Sequence, residues 1–536
     1  MALLLILLGA ATLRLHAVGY GSDALTIQID EDRNISVPLH LSLPDLRPQA
    51  PGYASVYDYP ALPWYTLFVL DRLVSWVGGG FGLVPDWDAF RGQFASHPIP
   101  FFLLGRTLSV AFGTATVALL YVLGRTLFSP AHGLLAAGFL ACTFLHVRDS
   151  ALATVDVPVT FFIVLTLLGA AAVIRRGRPR EYLFAGGAAG LATATKYSGV
   201  VVVVAVVAAH ALRVLEVGEP YRRLVSAGRL HAALVFAALL FLAVNPHLLL
   251  DWRSAWADLL WIAQRVQGGP FPGADIGPGW RYHLTVSLRY GMGAVMLALA
   301  GAGVLRALAR REPGGLVLLS FAGCFYLIAG GARLIFARYM TPLLPVLCLL
   351  AATATLTLAG WVRSPRGRGW LVAGLVVAAV IEPLDASASY GRMTGHADTR
   401  VEAYRFLSTL PPDSDIATVG PSEVWRSTIP PNGHWLPTFY ARHPRQTWAD
   451  VLTALKQQDS RYLLVHTSPV DVYSPTIPEL EEALRRSARL VQEFSPYKPG
   501  AHADPVYDRA DPYYFPLGRF RGVVRPGPLI RLYHLE

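Results

Sequence analysis

The stretch His146–Pro158, HVRDSALATVDVP, decides how the whole chain is read. An apolar run, HGLLAAGFLACTFL, leads into it, and a second, VTFFIVLTLLGAAAVI, leads out. Each run approaches the length of a membrane crossing, so Arg148, Asp149 and Asp156 fall in a turn at one face of a bilayer. The rest of the chain agrees. Hydrophobic residues make up 53% of the 536 and charged residues only 15%, the composition of a polytopic membrane protein. Apolar stretches at or near spanning length lie at 1–19, 102–124, 131–147, 155–174, 182–196, 198–213, 231–246, 284–308, 314–332, 338–361 and 370–384, which predicts about eleven spans. The opening run, MALLLILLGAATLRLHAV, lacks the basic start and small-residue cleavage site of a signal peptide and reads as a retained first span.

The net charge of +10 comes from arginines in short connections, so it speaks of topology and not of nucleic-acid binding. Four connections are arginine-rich: RRGRPR at 175–180, the 213–229 segment, RALARR at 306–311 and RSPRGR at 363–368. The positive-inside rule places all four in the cytoplasm. Eleven spans then put the HVRDSALATVD turn outside, with the loop 20–101, the segment 246–283 and everything from about 385. The apolar stretch 60–77 breaks this scheme if it crosses, so it reads as a helix on or dipping into the outer face. The three cysteines lie in apolar runs and form no disulfide framework.

Residues 1–384 therefore form a membrane domain that includes the loop 20–101 with its juxtamembrane helices. Residues 385–536 form an extracytoplasmic domain. There TRVEAYRFLSTLPPDSDIATVG reads as a helix, a proline break and a strand, followed by a strand in RYLLVHTS, a helix in IPELEEALRRSA and a strand in RLVQEFSP. That alternation predicts a small α/β domain.

Four constellations carry possible chemistry. QIDEDRNI places Asp30, Glu31 and Asp32 shortly after the first span. A solvated loop explains such a triplet equally well. Asp156 opens a span, where an acid meets the positive end of the helix dipole, so capping alone accounts for it. Asp149 beside Arg148 reads as a local ion pair. Lys196 in ATATKYSG is one of only three lysines, and the only one in the membrane half of an arginine-preferring chain. A compact ammonium at that point suits a charged ligand, although snorkelling to the interface is the ordinary reading. In RLIFARYMTPLLP, Arg333, Arg338 and Tyr339 lie at an outer boundary, against the usual inside bias for arginine. A phosphate would hold them there, as would lipid headgroups. No HExxH-like or Cys/His ligand spacing occurs, so no metal site is indicated.

Taken in order, these segments resemble those of GT-C-type integral membrane glycosyltransferases, the superfamily of protein O-mannosyltransferases and aminoarabinose transferases. QIDEDRNI is similar to the first-loop Asp-Glu motif, with QID standing where that family often has HPD. DYPALPWYTLF, RTLSVAFGTATVALLYVLGRTLF, HVRDSALATVDVPVTFF, GLATATKYSG, NPHLLLD and RYMTPLLP resemble successive family segments. The resemblance covers nearly all of the membrane part, and only in outline the domain after it. It implies a GT-C helical fold and transfer of a sugar from a polyprenyl-phosphate donor to a protein, lipid or glycan acceptor outside the membrane. It implies that Asp30, with Glu31, supplies the catalytic acid pair and Asp156 the second-loop acid. Lys196, Arg338 and Tyr197 would then bind the donor phosphate, with Arg148, Asp149 and Tyr339 in support. No cofactor is required, a divalent cation bridging carboxylate and phosphate is conceivable, and the membrane is the inner one with the site facing the periplasm.

The chemistry suits that implication. An acceptor hydroxyl needs a carboxylate to take its proton. Attack on an oxocarbenium-like centre opposite the leaving group inverts configuration. Cations near a departing phosphate stabilise the charge it gains. Two other readings remain at this point: a secondary transporter, against which stand charges at one face and no repeated halves, and a non-catalytic protein that binds polyprenyl lipid.

Overall fold

The computed structural model describes residues 1–20, 29–53, 55–217, 220–268, 277–411, 414–420, 433–437, 447–457, 460–470, 477–509 and 514–535. The expected loop 20–101, basic segment 213–229, segment 246–283 and proline break near 411 thus lie partly outside the described residues. Two compact units are present: one of 1–18, 30–269 and 276–387, the other of 19–29, 270–275 and 388–536.

The first unit is helical. Helix α1 (Ala2–Leu15) is followed by α2 (Ile29–His40), α3 (Leu62–Gly80), α4 (Trp87–Ser96) and α5 (Ile99–Leu127). Then come α6 (Pro130–Cys142), α7 (Phe144–Ser150), α8 (Asp156–Arg175), α9 (Pro179–Thr195), α10 (Val203–Val217) and α11 (Pro220–Val244). After them run α12 (His247–Leu250), α13 (Trp252–Gly268), α14 (Trp280–Tyr282), α15 (Arg289–Met292), α16 (Ala294–Arg310), α17 (Pro313–Gly330), α18 (Leu344–Gly360) and α19 (Pro365–Thr394). Among the described residues seven helices are long and apolar enough to cross a membrane, or nine if two bent pairs each count as one span. The eleven apolar stretches read from the sequence all fall on helices, but α1 has only 14 residues, short of a crossing. Helix α3, on the ambiguous 60–77 stretch, is not one of the seven to nine.

The two bends have identifiable causes. Between α6 and α7 the chain turns by 63° at Thr143. A break leaves carbonyls at the end of α6 without helical partners, a heavy cost where water is excluded. Arg14 of α1 answers it: its guanidinium donates to the Leu140 and Ala141 carbonyls and to His146 Nδ1. Between α15 and α16 the turn is 117°, at Gly293 with φ +82°. A side chain there would be strained and would also meet Pro383 at 2.9 Å. The bend at Thr143 also turns α7 inward and buries all of it, including His146, Arg148 and Asp149.

Close packing elsewhere relies on small residues. A Cβ on Gly186 or Gly190 of α9 would collide with the backbone of α11 at Ala233 and Ala237. That proximity is the means by which membrane helices gain dispersion contacts when no hydrophobic effect drives them together.

The second unit is a mixed five-stranded sheet in the order β2-β1-β3-β5-β4. Its strands are β1 (Ile416–Gly420), β2 (Gly433–Pro437), β3 (Tyr462–Thr467), β4 (Ala488–Phe494) and β5 (Leu529–Leu535). The first three are parallel, and β5 pairs antiparallel with both β3 and β4. Helices α20 (Thr399–Leu407), α21 (Trp448–Gln457) and α22 (Ile477–Ser487) supply the apolar residues packed on it, Leu407 among one set and Leu452, Leu480 and Leu484 among another. The helix and strands expected from DTRVEAYRFL, DIATVG, RYLLVHTS and RLVQEFSP stand where the sequence placed them.

At the start of α20, Asp398 caps the helix and pairs with Arg400 while accepting from Tyr20, all three buried. Burial raises the Asp398 carboxyl, but the Arg400 guanidinium outweighs it with its own hydrogen bonds, and the net displacement is downward. Nearby His466 on β3 is pushed down to about 3, by burial first and by the charge of Arg400 second. It is therefore neutral when folded and takes a proton on unfolding below about 6.5. Its stabilising contribution is complete above that pH and is lost as the pH falls toward 3. Replacing His466 with Phe is expected to flatten this acid sensitivity, worth about 1.4 kcal/mol per pH unit at most. Protection factors of the β3 amides between neutral and acid pH measure it.

Candidate active site

Helix α2 begins with Asp30, Glu31 and Asp32, three acids in the turn where the helix dipole favours negative charge. Successive residues on a helix point about 100° apart, so the three acids serve different surroundings. Glu31 is fully buried and forms a fork with Arg106 of α5, both contacts being 2.8 Å. The same carboxylate accepts the Ala153 backbone N–H at 2.8 Å. One turn on, Asn34 donates to the Ala153 carbonyl at 3.0 Å and accepts from Trp64. Both peptide groups of Ala153 are thus gripped by α2, three residues before Asp156. That joint fixes the acid at the start of α2 relative to the acid at the start of α8.

Asp30 is paired with Arg338 at 2.7 Å. The Nε of Arg338 lies 3.9 Å from Asp156, whose other oxygen takes Lys196 Nζ at 2.6 Å. Four charges of alternating sign, Asp30, Arg338, Asp156 and Lys196, therefore form one row drawn from four separate segments. Arg338 stacks on Phe336 at 4.5 Å from the ring centroid, and Lys196 lies 4.8 Å above Tyr339. Behind the row, Asp149 pairs with Arg148 and accepts from Thr341 at 2.7 Å, tying α7 to the turn that bears Arg338.

The segment 53–59 closes the row on another side. Arg33 of α2 forks onto Asp58, donates to the Ser55 and Val56 carbonyls, and lies within 5.5 Å of the ring centres of Tyr53, Tyr59 and Trp64. Tyr59 feels the charges of Asp30, Arg338 and Asp156; burial foremost, then Asp30, pushes its phenol well above the usual range. Its hydroxyl thus stays protonated, a neutral donor beside two acids. Asp32 is held by the Tyr53 hydroxyl at 2.9 Å. Beside the row, α2, α3, α5 and α8 enclose a largely apolar cavity of about 50 Å³ that reaches Val155 and Thr195, the neighbours of Asp156 and Lys196.

Glu31, expected among the catalytic acids from its motif, lies outside the row, with both oxygens accepting from Arg106 and one also from the Ala153 N–H. Tyr197, expected at the donor phosphate, donates its hydroxyl to the Tyr57 carbonyl at 2.7 Å and so holds the 53–59 segment. Arg148 and Asp149 lie behind the row, and Tyr339 lies under Lys196. Three participants were not read from the sequence: Arg106, Arg33 and Tyr59. An arginine inside the apolar run FFLLGRTLSV was the available signal for the first, since a charge within a span is rarely idle. Among the described residues no group of three or more His, Cys, Asp or Glu is arranged to hold a metal ion.

The comparisons with known proteins bear on this arrangement. Residues 103–256, which hold Asp156 and Lys196, match the family described as dolichyl-phosphate-mannose-protein mannosyltransferase. No curated protein sequence matches the chain. The fold is that of the oligosaccharyltransferase of Archaeoglobus fulgidus: TM-score 0.53 at 14% identity in the apo form, over 91% of this chain and 72% of that one. The same enzyme, AglB, with an inhibitory peptide and a dolichol-phosphate gives 0.51 at 14% identity, over 92% and 73%. ArnT from Cupriavidus metallidurans bound to undecaprenyl phosphate gives 0.49 at 14% identity, over 91% and 96%. The chain thus shares the helical fold of the Archaeoglobus fulgidus oligosaccharyltransferase, and over residues 103–256 it is similar to the mannosyltransferase family.

Proposed function

We propose that the chain transfers a sugar from a polyprenyl-phosphate donor to an acceptor hydroxyl, with inversion, at the extracytoplasmic face of the cytoplasmic membrane. The observation that carries this reading is the row Asp30–Arg338–Asp156–Lys196. Asp30 is the general base that takes the acceptor proton as the oxygen attacks the anomeric carbon. The bond to the phosphate oxygen breaks on the opposite face, and the polyprenyl phosphate leaves with one more negative charge. Lys196 and Arg338 stabilise that charge, and Asp156 holds both cations in place. Asp30 serves as counter-ion for Arg338; the donor phosphate displaces it there, which releases Asp30 from its cation just as a base is needed.

Sidedness is supported by the helices that carry the row. Asp156 opens α8, which ends at Arg175, and Lys196 follows α9, which begins beside Arg178 and Arg180. The basic ends belong in the cytoplasm, which leaves the row at the far side. The dolichol-phosphate found with AglB is of the lipid class this site suits. The acceptor is a protein, lipid or glycan hydroxyl.

The purified chain in proteoliposomes, supplied with polyprenyl-phosphate sugars, should release free polyprenyl phosphate in step with glycosylation of an acceptor. Movement of a solute without any transfer would overturn the assignment in favour of transport. Lys196→Met should lower kcat about a hundredfold, as loss of one transition-state donor does. A change confined to KM would remove Lys196 from the leaving-group role.

A further inference from the structure

We infer that α13 carries a lipid-binding surface: its outer face is seated among anionic phospholipid headgroups, at the membrane face that bears the charged row. The helix is divided. Asp251, just before it, and Ala255, Asp258, Leu259, Ile262 and Val266 form the more covered stripe, Ala255 buried and the others half-buried, at the spacing of one helical face. Trp252, Trp256 and Trp261 lie outside that stripe, spread over the rest of the circumference, and are 60%, 59% and 38% exposed. Arg253 lies 5.6 Å from the centre of the Trp252 ring and Arg265 lies 4.8 Å from that of Trp261.

Three large indoles left in water would expose apolar surface that soluble proteins avoid. Indoles interleaved with guanidinium groups are instead the side chains that prefer the boundary between headgroups and hydrocarbon. Charge complementarity identifies the partner. The charged side chains on the outer face are both arginines, whereas the acids Asp251 and Asp258 are turned inward to hold other segments. Tethering agrees, because α11 is long and apolar enough to cross a membrane and ends at Val244, only a few residues before α13 begins.

What the covered face holds gives the surface its importance. Asp258 accepts the backbone N–H groups of Val56 and Tyr57 at 3.0 and 2.8 Å. Asp251 accepts from the Tyr57 hydroxyl and from Arg47. At the other end, the Val266 carbonyl accepts the N–H groups of Arg333 and Leu334. The first of these segments leads to Tyr59 and the second to Arg338. A helix anchored on the membrane surface therefore brackets two walls of the proposed active site, a role that rests on the proposed sugar transfer; the lipid surface itself does not.

The test uses the full chain in liposomes of phosphatidylcholine and phosphatidylglycerol, with bromines placed high or low on the acyl chains. The fluorescence difference between wild type and W252F/W256F/W261F isolates the three indoles, and Trp256→Phe alone serves if the triple variant folds poorly. Stronger quenching of that difference by high than by low bromines, with little quenching by acrylamide, supports the surface. Quenching by acrylamide alone places the helix in water and overturns it. Strongest quenching by low bromines places the indoles in the hydrocarbon core, and insensitivity to all three quenchers places them under protein; either result overturns it as well. None of these readings requires transfer activity, so the lipid surface and the proposed reaction fail separately.

Discussion

Asp30→Asn is expected to reduce sugar transfer by about a hundred- to ten-thousandfold in kcat, the range supplied by a positioned general base. The substitution keeps the size of the side chain and leaves an oxygen facing Arg338, so the row is perturbed in charge far more than in shape. Binding of donor should survive, because Lys196 and Arg338 keep their places and Arg338 loses a competitor. The expected signature is a collapsed kcat with donor KM unchanged or lower. Asp156→Asn should behave differently: it releases Lys196 and weakens the hold on Arg338, so KM for the donor should rise along with the fall in kcat. Transfer by Asp30→Asn at the wild-type rate would remove Asp30 from the role of base. Steady-state release of polyprenyl phosphate across both variants makes the comparison.

The second large effect is structural. Removing one partner of a buried ion pair leaves a stranded charge and typically costs about 3–5 kcal/mol. The Glu31–Arg106 fork is such a pair, with side chains 0% and 4% exposed. Arg106→Ala should therefore destabilise the first unit by that order and loosen α2, because Glu31 also holds the Ala153 N–H. Replacing both partners together, as in Glu31→Gln with Arg106→Met, should recover much of the stability, since no unpaired charge remains. The double variant should nonetheless stay slow in transfer, because a neutral amide at position 31 grips Ala153 less firmly than the carboxylate and Asp30 loses its alignment. Thermal denaturation in detergent separates the stability effect from the rate effect. If Arg106→Ala melts like wild type, the fork contributes nothing to the frame of the site.

Charges stand out in a chain this apolar, so Asp30, Asp156, Lys196 and Arg338 were each legible in the sequence, as were the arginine-rich connections. Their meeting was not, because it depends on helices brought together from separate parts of the chain. Adjacency in a motif proved a poor guide to direction. Glu31 follows Asp30, but one step along a helix turns the side chain by about 100° toward Arg106. Tyr197 follows Lys196 into a short 3-10 turn and points toward Tyr57 instead. Hydropathy located the apolar helices, but not the bends at Thr143 and Gly293, which depend on Arg14 and on a left-handed glycine that no window average registers. In the second unit, runs of β-forming residues bounded by turn signals made β3 and β4 readable, whereas β5, at the far end of the described chain, is defined by partners on both sides.

The row of charges has a consequence for how the protein is made. Its members arrive in the order 30, 156, 196 and 338, so the first acid leaves the ribosome long before the arginine that neutralises it. Until then Asp30 lacks the partner that covers it in the row and should remain in contact with water. Nascent chains arrested between Lys196 and Arg338 should accordingly hold the second acid and its lysine together while the first acid stays open to solvent. Biogenesis of the catalytic centre would then end with one late ionic latch, set only after most of the bundle has been inserted.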